Sequence, residues 1–169
     1  MELKEAIKRR RSVRKFASTP VERAKVEEML RAAMQAPSAH NQQPWEFLVV
    51  ENRELLEKLS RVHQYAAPLA GAPLGIVVLL NRKRLTAEVF WQQDLSAATQ
   101  NMLLQAVDLG LGAVWMGIAP FEDKMASVRE ICQLPPDVEA FGLFAVGYSD
   151  RNRFVDRFDA SRIHWETYQ

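Results

Sequence analysis

Seven consecutive residues, Leu74-Gly-Ile-Val-Val-Leu-Leu80, carry no polar side chain. The run is far too short to cross a bilayer. It is aliphatic and β-branched at its centre, which predicts a strand inside a sheet, buried on both faces. Such a strand needs helices packed above and below it. With 169 residues, 48% of them hydrophobic, the chain is long enough for one sizeable core and reads as a single domain over 1–169. No repeat, low-complexity tract or linker rich in Pro, Gly or Ser divides it.

The remaining segments supply that cover in order. Leu3, Ala6 and Ile7 recur at helical spacing and predict a short amphipathic helix over 2–10. Thr19-Pro-Val-Glu22 has the form of a helix start, with a capping threonine, proline at the first position and glutamate three residues on. Val26, Met29, Leu30, Ala33 and Met34 then line one face up to Gln35. Phe47-Leu-Val-Val50 predicts a buried strand within 46–51, and Asn52 caps a helix ending near His63. Residues 64–73, with Pro68, Gly71 and Pro73, read as irregular. The longest helix spans about 88–109, with Gly110 placed as a C-terminal cap. It is apolar nearly all round, which in a domain of this size points to burial by a partner subunit and hence to a dimer. Ala113-Val-Trp-Met116 predicts a buried strand ending at Gly117, where a flat ligand can approach the backbone closely. A helix over 123–133 is stopped by Pro135-Pro136, and 140–146 is the last buried strand. The tail from Asp150 is too apolar to be simply disordered. Helices followed by alternating strands and helices make an α+β or α/β sandwich with a buried sheet.

Two polar segments stand out. From Met1 to Lys15 there are seven basic residues against Glu2 and Glu5. This cluster reads as a solvated face, a localisation tag, a nucleic-acid patch or a phosphate site. Nucleic acid is disfavoured, because the net charge is +1 and no basic stripe continues beyond the cluster. Within it, Arg-Ser-Val-Arg sets a hydroxyl between guanidiniums, whose forks match phosphate oxygens bidentately. The second segment is Ala36-Pro-Ser-Ala-His-Asn-Gln-Gln-Pro-Trp45. Prolines near both ends predict a held, extended loop with Trp45 packed beneath it. Ser38, His40, Asn41, Gln42 and Gln43 offer uncharged donors and acceptors, either to a polar-edged ligand or merely to solvent.

Other chemistries find little footing. His40, His63 and His164 lie far apart with no partner at metal-ligand spacing, so no metal is expected. Cys132 is the only cysteine and reads as a small core residue. No nucleophile elbow or Walker-type loop occurs, and Gly110-Leu-Gly112 follows a helix and precedes a strand, the reverse of a Rossmann turn. No charged region followed by an apolar one opens the chain, and a reducing cytoplasm fits the cysteine count. Without a strong protein acid, base or nucleophile, an enzyme of this sequence would depend on a bound cofactor.

Taken together, Arg10-Arg-Ser-Val-Arg14-Lys-Phe16, Ala36-Pro-Ser-x-x-Asn41-x-Gln-Pro-Trp45, Leu109-Gly-Leu-Gly-Ala-Val-Trp115-Met-Gly117, Gly147-Tyr148 and Asp156-Arg-Phe158 resemble the FMN-dependent nitroreductase family, in order and spacing, over essentially the whole chain. The resemblance implies a three-layer α/β/α sandwich of α+β class. It further implies a central, mostly antiparallel sheet, a long buried interface helix and an intertwined homodimer with two shared FMN sites. Arg10 and Ser12, with Arg157 from the tail, would hold the FMN phosphate. Arg14 would approach the N1/O2 edge of the ring, and Arg11 would reach the ribityl chain through its backbone. Pro37, Ser38, Ala39 and Asn41 would come from the other subunit, with Gln43 supporting the ribityl chain or ring edge. The backbone at Met116-Gly117 would face N5 and O4. Val155 stands where many relatives carry a lysine, and the chain lacks the insertion that covers the ring in longer ones.

The reaction implied is ping-pong transfer of hydride from NADH or NADPH, through flavin N5, to a nitroaromatic, quinone or similar small acceptor. No protein residue acts as catalyst, and neither nucleic acid nor membrane takes part. Alternatives are another flavin reaction on the same scaffold, such as oxidation or dehalogenation, and a non-enzymatic flavin-binding module.

Overall fold

The computed structural model describes residues 1–150, 154 and 156–168. The apolar run becomes β2 (Leu74–Asn81), flanked in sequence by β1 (Trp45–Val50), β3 (Gly112–Gly117) and β4 (Val138–Gly147). All four pair antiparallel in the order β1-β2-β4-β3. The helices are α1 (Leu3–Arg9), α2 (Arg23–Met34), α3 (Arg53–Leu59), α4 (Trp91–Asp108) and α5 (Glu122–Cys132). Ile76, Val78 and Leu80 of β2 face α2 and α4, packing with Met29, Leu95 and Met102. Val77 and Leu79 face the other way, with Leu56, Leu59 and Val128 of α3 and α5. The result is a three-layer α/β/α sandwich of α+β class, as expected from the unbroken apolar strand. Among the described residues no helix is long and apolar enough to cross a membrane.

One irregularity sets the geometry of the sheet. Val78 pairs with Gly142 and Leu79 with Ala140, so Phe141 is an extra residue in β4, a β-bulge. Before the bulge Val138 and Ala140 face α3 and α5; after it Leu143 and Ala145 do. Phe141 and Phe144 consequently share the α4 face, where both pack against Trp115 at ring separations of 5.4 and 5.8 Å. Gly142 makes room for that indole: a Cβ there would lie 2.6 Å from Trp115 Nε1.

Several expectations are corrected. β1 and β3 are edge strands and only partly buried, and Trp115 is 37% exposed. α2 begins at Arg23, beyond the Thr19-Pro-Val-Glu22 signal, with Glu22 extended at the N-cap and no capping side chain. Tertiary contacts override the local signal, because Val21 is buried in the core and Glu22 accepts a hydrogen bond from the Tyr148 hydroxyl. That hydroxyl in turn accepts from Lys25 Nζ at 2.6 Å. α4 begins at Trp91, after a separate 3-10 turn over Glu88–Phe90. α5 stops at Cys132 because Gln133 turns left-handed (φ 52°) and Leu134 N–H bonds back to the Arg129 carbonyl, before either proline.

Two caps behave as read. Asn52 Oδ1 accepts from Leu55 N–H at 2.9 Å and starts α3. Gly110 (φ 76°) ends α4, with Leu111 N–H bonded to the Ala106 carbonyl at 2.8 Å and Gly110 N–H to that of Val107 at 3.0 Å, a Schellman motif. The stretch read as irregular is a 3-10 helix, Gln64–Gly71. Arg53 holds it to α3, donating to the Leu69 and Ala72 carbonyls at 2.9 and 3.0 Å.

Candidate functional site

The outer edge of β3 gathers most of the residues singled out above. α1 ends at Arg9 and the chain turns extended at Arg10 (φ −56°, ψ 124°). Ser12 then forms a parallel bridge with Ala113, and Val13 N–H donates to the Ala113 carbonyl at 2.9 Å. This contact requires Gly112, since a Cβ there would meet Val13 at 2.8–2.9 Å. Extended backbone alternates its side chains, and the segment sorts accordingly. Arg10 and Ser12 border a cavity of about 290 Å³ with Gln100 and Leu103 of α4 and Trp115 and Gly117 of β3. Arg11 borders a separate, smaller cavity near Met1 and Gly112. Arg14 opens onto a larger one, of about 770 Å³, which also takes in Trp115, Met116 and Gly117. The two larger cavities therefore meet along β3, over Trp115 and Gly117. A Cβ added at Gly117 would touch nothing within 4 Å, so the space above that backbone is open.

Glu5, the acid of α1, engages Lys8 and Arg9. Among the described residues no carboxylate pairs with Arg10 or Arg14. Burial lowers the basicity of the Arg10 guanidinium, and the positive charge of Arg157 lowers it further. Two arginines within electrostatic reach of each other, with no acid paired to Arg10 among the described residues, have the charge an anion would complement. Val155 lies outside the described residues.

The loop from Ala36 to Trp45 is built differently. It is not extended: residues Ala39–Asn41 coil into a 3-10 turn, with His40, Asn41 and Gln43 left-handed (φ 51°, 54° and 45°). Gln42 turns inward and is buried, its Oε1 accepting from the N–H groups of Thr86 and Ala87, each at 2.9 Å. Its Nε2 donates to Asp94 Oδ2 at 2.6 Å, while Asp94 Oδ1 accepts from Ala39 N–H at 2.9 Å. Ser38 Oγ accepts from Gln43 N–H, and Gln43 Nε2 donates to Asn41 Oδ1 at 2.8 Å. Trp45 is buried beneath, as expected. Within one chain, Pro37, Ser38, Ala39, Asn41 and Gln43 border neither β3-edge cavity.

Sequence reasoning passed over other side chains at the β3 edge. Trp115 forms the shared floor, and His63, Tyr65, Phe121 and Lys124 wall the larger cavity. Trp115 carried a legible signal, an aromatic two residues before a strand-end glycine. The others come from the 3-10 helix and the start of α5, about sixty residues apart in sequence, and only the fold unites them. Cys132 is half-buried and burial pushes its thiol pKa up to about 11, which leaves it unreactive.

The exposed sheet edge thus sets arginine charge beside an open glycine backbone, a combination with the shape and charge that a flat, phosphorylated ligand would need. Comparison with known proteins specifies the class further. The Nitroreductase family profile matches residues 7–64 and 62–148, and the chain belongs to that family. A protein of Methanothermobacter thermautotrophicus, provisionally named NADH dehydrogenase/NAD(P)H nitroreductase, is 43% identical over 99% of this chain and 88% of its own length. The crystal structure of a provisionally named NADH oxidase from Clostridium acetobutylicum superposes with a TM-score of 0.94 at 47% identity, covering 96% of this chain and 99% of that one. A Desulfovibrio desulfuricans nitroreductase solved in complex with FMN gives a TM-score of 0.85 at 30% identity, covering 100% and 99%.

Proposed function

We propose that the chain is an FMN-dependent oxidoreductase that moves two electrons from NADH or NADPH to a small acceptor such as a quinone or nitroaromatic. The observation that carries this reading is Arg10 beside Ser12 at the edge of β3, with Arg157 within electrostatic reach of it and, among the described residues, no carboxylate paired with Arg10. These residues fit the FMN phosphate, with arginine forks on its oxygens and the serine hydroxyl on a remaining lone pair. Trp115 and the Cβ-free Gly117 leave room for a flat ring against the strand. Arg14 would set a positive charge at the ring's N1/O2 edge, raising the reduction potential. When bound, FMN supplies the hydride acceptance and donation that no protein side chain at this site provides. The protein's part is to orient its ligands and to limit what reaches them. In balance, NAD(P)H, a proton and a quinone give NAD(P)⁺ and a hydroquinone, and the two half-reactions alternate in one pocket.

The site as proposed is completed by a second copy of the chain, whose Pro37, Ser38, Ala39, Asn41 and Gln43 would close it. What supports a homodimer is the distance of that loop from the β3-edge cavities and the apolar surface left uncovered. Leu3, Ile7 and Met34 are more than half exposed, as are Phe154, Phe158, Trp165 and Tyr168 of the tail. We read residues 1–169 as one FMN-binding domain working in the cytoplasm. Arg11 borders a different cavity, which fits a backbone role for that position.

The test is an absorption spectrum of the purified protein, followed by denaturation and identification of the released chromophore. About one FMN per chain, with steady NAD(P)H consumption on addition of a quinone or nitroaromatic, supports the reading. A colourless protein that refuses added FMN overturns it. FMN without turnover favours the non-enzymatic flavin module, and turnover confined to other acceptor chemistry favours a different flavin reaction.

A further inference from the structure

The larger cavity at the β3 edge holds a cation that the FMN reading leaves unused. Lys124 lies in the first turn of α5 and borders this cavity together with Arg14, and its Nζ sits 3.7 Å from the centre of the Phe121 ring. That contact fixes the ammonium over an aromatic face rather than beside an acid. Among the described residues no carboxylate pairs with Lys124, although Glu122 and Asp123 share its helical turn. Glu122 borders a different cavity, with Arg82 and Arg129. Among the described residues no acid borders the cavity that Lys124 does.

The same wall is aromatic. Tyr65 is 71% exposed and Phe121 53% exposed, and neither is covered by another element. His63 lies beside Tyr65, the two rings 6.1 Å apart, with Nδ1 accepting from Tyr65 N–H. Burial lowers the basicity of His63 and the Lys124 charge lowers it further, which places the ammonium within electrostatic reach of the imidazole. Arg53 pins the 3-10 helix that carries His63, Tyr65 and Pro68, so this wall is held in place.

We infer that this wall selects flat aromatic acceptors carrying an anionic group, with Lys124 as the specificity-determining residue and Tyr65 and Phe121 as the stacking surfaces. The inference rests on the FMN reading above and adds to it the charge of the preferred acceptor. An aromatic carboxylate or sulfonate would set its ring against Tyr65 and Phe121 and its anion on Lys124, leaving its reducible group toward Gly117. For a nitrobenzoate the nitro group takes up two electrons and two protons, supplied as hydride from NAD(P)H and one proton from solvent. It then loses one water to become the nitroso compound.

The experiment compares wild type, Lys124→Gln and a control, Lys58→Gln, on the exposed face of α3. Binding of non-reducible benzoate and of neutral benzamide to the FMN-loaded, oxidised protein is followed by perturbation of the flavin absorbance and by calorimetry. Wild type and the control should prefer benzoate, and Lys124→Gln should weaken benzoate by about fivefold, the scale of one partly screened charge pair, while leaving benzamide unchanged. The ratio of kcat/KM for 4-nitrobenzoate over 4-nitrobenzamide should fall by the same factor. A yellow wild-type protein that binds both ligands alike overturns this inference and leaves the FMN reading standing. So does a variant that changes only the KM for NAD(P)H, which would assign Lys124 to the reductant. A protein that takes up no FMN overturns both.

Discussion

The basic segment along β3 and the loop between α2 and β1 are both polar and partly exposed, yet they are built in opposite ways. Along β3, Arg10, Arg14 and Arg157 have no carboxylate partner among the described residues, and two of them repel each other. In the loop nearly every polar group is met from within: Gln42 by Thr86, Ala87 and Asp94, Ser38 by Gln43, Asn41 by Gln43. The loop carries its cost in backbone conformation, with three non-glycine residues at positive φ, each on the order of 1–3 kcal/mol. An unmet charge is stabilised by a ligand, whereas a satisfied but strained loop is a preformed surface. The first kind of region should respond to mutation mainly in binding and the second mainly in stability.

Removing both phosphate arginines tests this most severely. Arg10→Ala with Arg157→Ala should weaken FMN by roughly a thousandfold, two charge-assisted contacts, with no loss of thermal stability in the flavin-free protein. Fluorescence titration with FMN and thermal unfolding read the two effects separately, and unchanged occupancy would refute the site. The mirror case is Asp94→Ala, which strands the buried Gln42 amide and the Ala39 N–H. It should cost roughly 2–3 kcal/mol in chemical denaturation and expose the loop to proteolysis. Loss of flavin affinity without loss of stability would erase the contrast.

A pair of glycines sharpens it on one strand. Gly112→Ala forces a Cβ into Val13 and should cost about 1–2 kcal/mol, dislodging the basic segment with it. Gly117→Ala meets nothing and should change stability of the flavin-free protein by no more than about 0.5 kcal/mol, while weakening FMN. The smallest effect is on pH dependence. His63 has its basicity lowered in the fold, so below its ordinary value of 6.5 the unfolded chain takes up a proton that the native one does not. Stability should therefore fall as pH drops through that range and level off once the native imidazole also protonates. His63→Asn should flatten this limb in urea titrations between neutral and mildly acidic pH.

Legibility in the sequence followed the same division. The central strand, the stripes of α2 and α4, the Asn52 cap and the Gly110 stop were all readable, because each is a local pattern with one dominant physical cause. The Thr19-Pro-Val-Glu22 signal misled because Val21 found a place in the core and Glu22 a partner in Tyr148, more than a hundred residues away. The loop was read as extended from its prolines, but the inward amide of Gln42 and the carboxylate of Asp94 decided its path. Arg10, Ser12 and Arg14 could be singled out because their chemistry sits in one short segment. Lys124, His63 and Tyr65 could not, since nothing in their own neighbourhoods separates them from ordinary surface residues.

The extra residue in β4 has a bearing on how this chain tolerates change. It divides one strand into two halves of opposite phase, so the inside–outside rule for 143–147 is inverted for 138–141. Removing Phe141 alone would bring the halves into step. Val138 and Ala140 would keep facing α3 and α5 by plain alternation, and the α4 face would lose one of the two rings packed against Trp115. The bulge thus adds a ring without turning either half of the strand over: it sets Phe141 beside Phe144 under Trp115, a floor that an unbulged β4 would halve.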